Sequence, residues 1–176
     1  MENEDCLKAR ESFFKEWIVP IISAIFIAIL INKLIFFNVI VPTGSMIPTI
    51  NKDDRFMVTR IYNTNNIERG DIIVFYSEEL QKLLIKRAIG LPGDHVEINN
   101  GMVSINGQSI QEDYVKNNNN YSGIFDVPEG KFLFLGDNRA DSWDARRWIN
   151  PYIDAYEIRG EARIRIYPFN NIGVLK

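Results

Sequence analysis

Hydrophobic and polar positions divide this chain into a polar start, one long apolar run and many short alternating segments. Nothing charged appears from residue 18 to 31, and after Asn32 and Lys33 the apolar character resumes. The whole run, 18–41, covers 24 residues, which is enough to cross a bilayer with some tilt. Because it is apolar all round, it favours a membrane anchor over a buried core helix. A cleaved signal peptide is disfavoured, since the polar segment 1–17 is long and partly acidic.

The remainder, residues 42–176, has the pattern of a β-rich domain. Runs of β-branched and aromatic residues alternate with turn residues, which predicts strands. The predicted strands are Arg55–Ile61, Asp71–Tyr76, Leu83–Gly90, Val96–Ile98, Met102–Ile105, Lys131–Leu135 and Glu161–Tyr167. Asn100-Gly101 and Asn106-Gly107 are strong hairpin signals, and they define a hairpin subregion at about 96–125. We therefore predict a mainly β protein, with one transmembrane helix followed by an antiparallel sheet.

Composition narrows the possible functions. Hydrophobic residues make up 46% and charged residues 24% of the chain, which is typical of a globular protein. The formal net charge of -3 argues against a nucleic-acid partner. With one cysteine, Cys6, and one histidine, His95, neither an intrachain disulfide nor a zinc site of several such ligands is possible. There is no glycine-rich phosphate loop. We expect neither a cofactor nor a metal.

A turn-rich stretch, Val41–Thr49, follows the apolar run directly. Pro42 and Pro48 exclude a helix interior or a central strand. Gly44 would allow backbone angles that a side chain forbids, which suits a sharp turn that presents Ser45. Glycine, proline, serine and threonine are also the ordinary residues of loops. Taken alone, the stretch fits a simple turn better than a nucleophile, and the decision depends on a base elsewhere in the chain.

Lys86 is the candidate base. In a strand it shares a face with Leu84 and Ala88. One interpretation is a lysine at a sheet edge, where it would prevent aggregation. The other is a buried lysine, whose lowered pKa would leave a neutral amine able to accept a proton from a serine. Ser-Lys dyads need no histidine.

Four segments resemble the signature boxes of type I signal peptidases, in the order of that family and behind an N-terminal anchor. They are Pro42–Thr49, Arg69–Phe75, Lys86–Asp94 and Gly136–Arg146. The resemblance, with the anchor included, extends along essentially the whole chain, and all four boxes in order are highly specific. The endoplasmic-reticulum branch has a histidine where Lys86 stands, so the resemblance is to the bacterial Ser-Lys branch.

The resemblance implies a role for each matching residue. Ser45 would be the nucleophile and Lys86 the general base, with the Ser45 N–H and the Thr43 hydroxyl as the oxyanion hole. Ser142 would form a hydrogen bond with Lys86 and orient its amine. Supporting roles in the same loop fall to Asp137, Arg139, Asp144 and Arg146. Arg87 alternates away from Lys86 and is expected to be structural.

Three features depart from this pattern or stand outside it. Ala145 occupies a position that is usually serine in the family, and Asp141 one that is frequently asparagine, which leaves the effect on loop geometry or substrate preference open. His95 follows the Gly93-Asp94 turn and is expected at the surface.

The implied function is cleavage of signal peptides from exported preproteins after small-x-small motifs. The implied partners are those signal peptides, the lipid bilayer and the secretion translocon. The N-terminus would be cytoplasmic and the catalytic domain would lie outside the bacterial plasma membrane, although lysines and arginines on the two sides of the anchor are nearly tied. Two alternatives are a self-cleaving Ser-Lys autoprotease and a catalytically silent anchored domain that binds peptides.

Overall fold

The computed structural model describes residues 14–175, and the chain divides into two compact units, Met1–Phe37 and Asn38–Lys176. In the first unit a π-helical turn, Phe14–Ile18, continues into helix α1, Val19–Ile35. Proline near the start suits α1, because the first turn needs no donor there. Of the described residues, Phe14–Ile35 is the one helix long and apolar enough to cross a membrane.

The helix does not have the bounds that the apolar run predicts. An anchor over residues 18–41 was predicted, but the helix begins at Phe14 and ends at Ile35. The last apolar residues form strand β1, Phe36–Ile40, instead. Aromatic and β-branched residues favour a strand, and β1 joins the edge of a sheet. Of the predicted polar segment 1–17, residues 1–13 lie outside the described part, and Cys6 with them.

The regular secondary structure of the second unit consists almost entirely of strands. The long ones are β2 (Arg55–Arg60), β3 (Ile72–Ser77), β4 (Lys82–Gly90), β5 (His95–Asn99), β6 (Met102–Ile105), β8 (Gly123–Asp126), β9 (Lys131–Leu135) and β11 (Ile158–Tyr167). The short ones are β7 (Gln108–Ser109), β10 (Tyr152–Asp154) and β12 (Gly173–Val174). Three single 3₁₀ turns complete it, at Thr64–Asn66, Ala155–Glu157 and Phe169–Asn171.

These strands form two sheets. The larger sheet has the order β1-β2-β11-β3-β4-β9-β10, with β12 paired to β11, and the smaller has the order β7-β6-β5-β8. Every pairing whose register is defined is antiparallel. The predicted fold class, mainly antiparallel β behind one apolar helix, is therefore confirmed.

Both Asn-Gly hairpins are present in the smaller sheet. Asn100 (φ 47°) and Gly101 (φ 81°) join β5 to β6, and Asn106 (φ 51°) and Gly107 (φ 80°) join β6 to β7. Two consecutive residues with positive φ are what a two-residue hairpin requires. The two sheets share one hydrophobic core, in which Phe75 and Phe134 stack with ring centroids 4.5 Å apart.

Candidate active site

Ser45 lies in a loop, residues 41–54, that closes on itself through backbone hydrogen bonds. Val41 donates its N–H to the carbonyl of Asp54 at 3.0 Å, and Asp53 donates to the carbonyl of Val41 at 2.7 Å. Met46 is fully buried and anchors the loop, whereas Ile47 is 38% exposed. We call this segment the Ser45 loop.

Gly44 does not play the part that the sequence suggested. Its φ is not positive, so no left-handed conformation requires a glycine there. A Cβ at this position would lie 3.0 Å from Cδ1 of Ile47, which is tight but movable. The turn is formed by hydrogen bonds and the buried Met46 rather than by special freedom at Gly44.

Lys86 lies on β4, between β3 and β9, and opposite Ile73 of β3. The interpretation as a solvent-exposed lysine that prevents aggregation at a sheet edge is wrong, because the side chain does not reach solvent. The side chain is buried, at 4% exposure, as is Ser45, at 7%. Lys86 Nζ donates a hydrogen bond to Ser45 Oγ, so the two residues, separated by 41 positions, meet in a buried contact.

Burial lowers the pKa of Lys86 from its ordinary 10.5 to about 8. Removing an ammonium from water disfavours its charged form. The carboxylates of Asp144 and Asp137 act in the opposite direction and limit the fall, while Lys82 and Arg146 add to it. The amine is thereby able to exist in its neutral form near neutral pH.

Residues 136–148, which we call the Ser142 segment, pack against the Ser45 loop at Gly136. A Cβ on Gly136 would lie 2.2 Å from Ser142 Oγ and 2.5 Å from the carbonyl oxygen of Ser45. No real side chain fits at these distances, so only glycine allows the two segments to approach so closely. Steric crowding therefore explains why the Gly136–Arg146 box begins with a glycine.

Asp144 and Arg146 form the buried ion pair that the sequence indicated. Arg146 Nε and Nη2 each donate to a different Asp144 oxygen at 2.8 Å, and the Gly136 N–H donates to Asp144 Oδ2 at 3.0 Å. Burial alone would raise the pKa of Asp144, but the Arg146 guanidinium and the Gly136 N–H together hold it below its ordinary value. Asp144 therefore keeps its charge and ties both ends of the Ser142 segment.

Asp137 and Arg139 do not pair with each other, and each connects the Ser142 segment to a different element. Asp137 accepts two hydrogen bonds from Arg87, at 2.9 and 2.6 Å, and one from Thr49 at 2.5 Å. Arg139 donates to both oxygens of Glu112, at 2.9 and 2.5 Å. Asp137, Arg139 and Asp144 are at most 1% exposed, so these charges are paired inside the protein and not in an exposed loop.

Ser142 is fully buried beside the Ser45–Lys86 pair, but no hydrogen bond joins it to Lys86. Within residues 14–175 its hydroxyl has no hydrogen-bond partner of ordinary geometry, although it lies near enough to Asp144 to help lower the pKa of that carboxyl. The structure thus brings Ser142 to the site without the contact that the sequence predicted. Thr43 is closer to the predicted arrangement, since its Oγ1 lies 3.5 Å from Ser45 Oγ, although its side chain is exposed.

An apolar groove of about 460 Å³ opens beside Lys86. One wall is Asn38–Thr43, and the other is Lys82–Lys86 with Val74 behind it. Strand β9 pairs with β4 only from Arg87 to Gly90, so in the described part of the chain residues 82–86 have β3 as their sole defined neighbour. The groove therefore has an open strand edge along it, a feature that the sequence did not reveal.

Sequence reasoning missed four residues that bear on this site: Glu112, Tyr114, Asn117 and Asn138. Arg87 Cζ lies 3.9 Å from the ring centroid of Tyr114, so this ring covers the guanidinium. The Tyr114 hydroxyl donates to Glu112 Oε1 at 2.7 Å. Three of the four lie in a polar stretch that carries no strand or helix pattern. Asn138 was visible in the Gly136–Arg146 box but was given no role.

The other residues considered in the sequence lie away from the Ser45–Lys86 contact. His95 is exposed and its Nδ1 lies 2.6 Å from Asp126. Asp141 is exposed, and Ala145 is buried in the core at 2%. Among residues 14–175 there is no group of three or more potential metal-binding His, Cys, Asp or Glu side chains.

Comparison with known proteins assigns this chain to a family. Residues 14–167 match the family described as signal peptidase, peptidase S26. The chain belongs to this family, whose members are serine endopeptidases, and it is therefore a serine endopeptidase.

Individual relatives agree. The chain is 33% identical to a signal peptidase I of Bacillus licheniformis over 98% of both chains, and 41% identical to a signal peptidase I of Leptolyngbya laminosa over 77% of this chain and 70% of that one. The crystal structure of a signal peptidase I from Enterococcus faecalis V583 is 34% identical, with a TM-score of 0.48 over 55% of this chain and 96% of that one. The relatives thus carry the name of the family that the four boxes resemble.

Proposed function

We propose that Ser45 and Lys86 are the catalytic dyad of this signal peptidase, with Ser45 as nucleophile and Lys86 as general base. The observation that carries the proposal is the buried hydrogen bond between Lys86 Nζ and Ser45 Oγ. Its physical basis is the depressed pKa of Lys86, because only an uncharged amine has a lone pair to accept the serine proton.

In the proposed reaction, Ser45 Oγ attacks the carbonyl carbon of the scissile peptide bond and Lys86 Nζ takes the hydroxyl proton. The resulting ammonium then donates that proton to the leaving amine as the C–N bond breaks, which leaves an ester on Ser45. Water attacks the ester, Lys86 again accepts a proton, and Ser45 Oγ leaves with that proton. One lysine therefore acts first as base and then as acid in each half of the reaction.

The negative oxygen of each tetrahedral intermediate needs hydrogen-bond donors. The Ser45 N–H and the Thr43 hydroxyl are the donors in this proposal, and the position of Thr43 Oγ1, 3.5 Å from Ser45 Oγ, supports the second. Such donors are worth most in a preorganised site that excludes water.

The substrate in this proposal is the signal peptide of an exported preprotein, bound in the apolar groove. An extended peptide would pair with the open edge of residues 82–86 by strand addition. Alternate side chains of a strand point to the same face. Two small residues, at the first and third positions before the cut, would therefore enter the groove together, which supports a small-x-small preference.

Helix Phe14–Ile35 serves as a single-pass membrane anchor in this proposal. The N-terminus is cytoplasmic and the second unit lies on the outer face of the plasma membrane, where exported preproteins emerge beside the translocon. Holding enzyme and substrate on one surface raises their effective concentration.

The charged residues of the Ser142 segment have supporting roles. Asp144 with Arg146 closes this segment on itself, and Asp137 fixes it to Arg87 of β4 and to Thr49 of the Ser45 loop. Ser142 orients the Lys86 amine once the amine has transferred or received a proton, which gives its buried hydroxyl a partner. Breaking a buried ion pair leaves an uncompensated charge and is strongly destabilising.

The test uses the full-length enzyme in detergent micelles with a purified preprotein, and mass spectrometry of the products. We expect Ser45→Ala and Lys86→Ala each to abolish cleavage while the thermal unfolding midpoint stays close to that of the wild type. Matched controls are Ser104→Ala and Lys131→Ala, which lie on the second sheet and at a surface ion pair and should cleave normally. Normal cleavage by either dyad variant would refute the dyad, and products without small residues at positions −1 and −3 would refute the cleavage motif.

A further inference from the structure

Asn138 contacts the backbone of the Ser45 loop on both sides of Ser45. Its N–H donates to the carbonyl of Ser45 at 3.1 Å, and its Nδ2 donates to the carbonyl of Gly44 at 3.0 Å. The side chain is buried, at 7% exposure. These are contacts of one residue with two successive peptide groups, 94 and 93 positions earlier in the chain.

The Gly44 carbonyl belongs to the same peptide group as the Ser45 N–H. A peptide group is planar, and in the trans form its C=O and N–H point in opposite directions. This bond is not among the cis peptides of the described chain. A hydrogen bond that fixes the Gly44 carbonyl therefore also fixes the direction of the Ser45 N–H, the donor to which the proposed function assigns the oxyanion. The Ile47 N–H also donates to this carbonyl, but at 3.2 Å.

A second asparagine fixes the side-chain amide of Asn138. Asn117 Nδ2 donates to Asn138 Oδ1 at 2.7 Å, while the Asn117 carbonyl accepts from the Ala140 N–H at 3.0 Å. A carbonyl oxygen can only accept, so Nδ2 of Asn138 must face Gly44 and Oδ1 must face Asn117. Asn117 lies in the linking loop, residues 110–122, which connects β7 to β8 of the smaller sheet.

We propose that Asn138 is a positioning residue that holds the Gly44–Ser45 peptide with its N–H aimed at the oxyanion, and that Asn117 orients Asn138. The inference rests on the proposed function, since it needs Ser45 to be the nucleophile. It connects one residue of the linking loop, Asn117, to the oxyanion donor, although Asn117 does not touch the reacting atoms.

The experiment measures kcat and KM of the full-length enzyme for a preprotein, at a pH above the Lys86 titration. It also measures the affinity of a peptide boronate, because its tetrahedral adduct with a serine places a charged oxygen in the oxyanion position. A misplacement of about 1 Å costs roughly 10²-fold, so we expect Asn138→Ala to lower kcat about 10²-fold. KM should change little, and boronate affinity should fall in proportion to kcat.

Further variants separate positioning from folding. Asn117→Ala removes one hydrogen bond, and we expect a loss of about five- to tenfold in kcat. Asn138→Asp keeps the size of the side chain but sets a carboxylate oxygen against the Gly44 carbonyl, so its kcat should be no higher than that of Asn138→Ala. Asn118→Ala is the matched control, because Asn118 is the neighbouring asparagine and donates to Gly101 instead. It should keep the wild-type kcat and boronate affinity.

Two results would overturn the proposal: a kcat of Asn138→Ala within threefold of the wild type, or a lower kcat with unchanged boronate affinity. If Asn138→Ala lowers the unfolding midpoint strongly, Asn117→Ala decides the question, because that side chain is exposed and its loss should not unfold the protein. Cleavage by Ser45→Ala, or a wild type that the boronate does not inhibit, would instead show that the proposed dyad is wrong and would overturn both.

Discussion

The activity of this enzyme should titrate with Lys86. A fall in pKa from 10.5 to about 8 corresponds to roughly 3 kcal/mol in favour of the neutral amine. Desolvation of the ammonium is the main cause, since the amine is buried, and the two nearby carboxylates recover only part of its cost. Because the neutral form is the proposed base, the rate should fall as the pH decreases through the pKa.

The magnitude follows from the two pKa values. At pH 7 an amine with a pKa of 8 is neutral in about one molecule in ten, whereas one with a pKa of 10.5 is neutral in about one in three thousand. We therefore expect kcat/KM to rise about tenfold per pH unit below pH 7 and to level off above pH 9. This rise reports the free enzyme.

The assay is a pH–rate profile of kcat/KM for the full-length enzyme on a preprotein, with enzyme stability checked at each pH. His95→Gln is the matched control, because His95 is the one histidine and lies exposed on the smaller sheet. Its profile should match that of the wild type. A rise that disappears in His95→Gln, or a flat profile from mildly acidic to alkaline pH, would refute the assignment of Lys86 as the base.

Two further predictions concern the surroundings of Ser45. Thr43→Val removes a proposed oxyanion donor and should lower kcat by about 10²–10³, while Thr43→Ser keeps the hydroxyl and most of the activity, as measured by steady-state kinetics. Equal activity of the two variants would rule out Thr43 as a donor. Gly136→Ala forces a Cβ into Ser142 and the Ser45 carbonyl, and overpacking typically costs about 1–3 kcal/mol, so both the unfolding midpoint and kcat should fall. Gly173→Ala, where no atom lies within 4 Å of the added Cβ, should behave as the wild type and is the control.

Local chemistry explains what could be read from the sequence. The Asn-Gly pairs predicted their hairpins because a two-residue hairpin turn requires positive φ at both residues, and asparagine and glycine adopt positive φ most readily. The alternating runs predicted the strands for similar reasons, although the order of the strands in the sheets did not follow from them. Lys86 could be singled out because a charged residue in an apolar strand needs an explanation. Whether its side chain is buried depends on the Ser45 loop and the Ser142 segment, which lie far from it in the chain.

Long-range contacts account for what the sequence did not reveal. The pairing of Arg139 with Glu112, rather than with a neighbour in its own box, depends on where the linking loop is placed by the smaller sheet. The predicted anchor extended to residue 41, whereas the helix ends at Ile35. Apolarity alone does not distinguish a membrane helix from an apolar edge strand such as β1, whose pairing depends on β2. Asn138 was overlooked because its effect is exerted on backbone atoms, for which no residue type is a signature.

The contacts of Ser45 with Gly136 and Asn138, which come much later in the chain, also have a consequence for biosynthesis. The ribosome releases Ser45 long before the segment that binds the carbonyl groups of Gly44 and Ser45. Strand β11, which pairs with both β2 and β3, emerges later still. A growing polypeptide therefore has the proposed nucleophile without the geometry that would activate it. The newly made protein should be harmless to itself and to neighbouring nascent chains until residues 136–167 have been made.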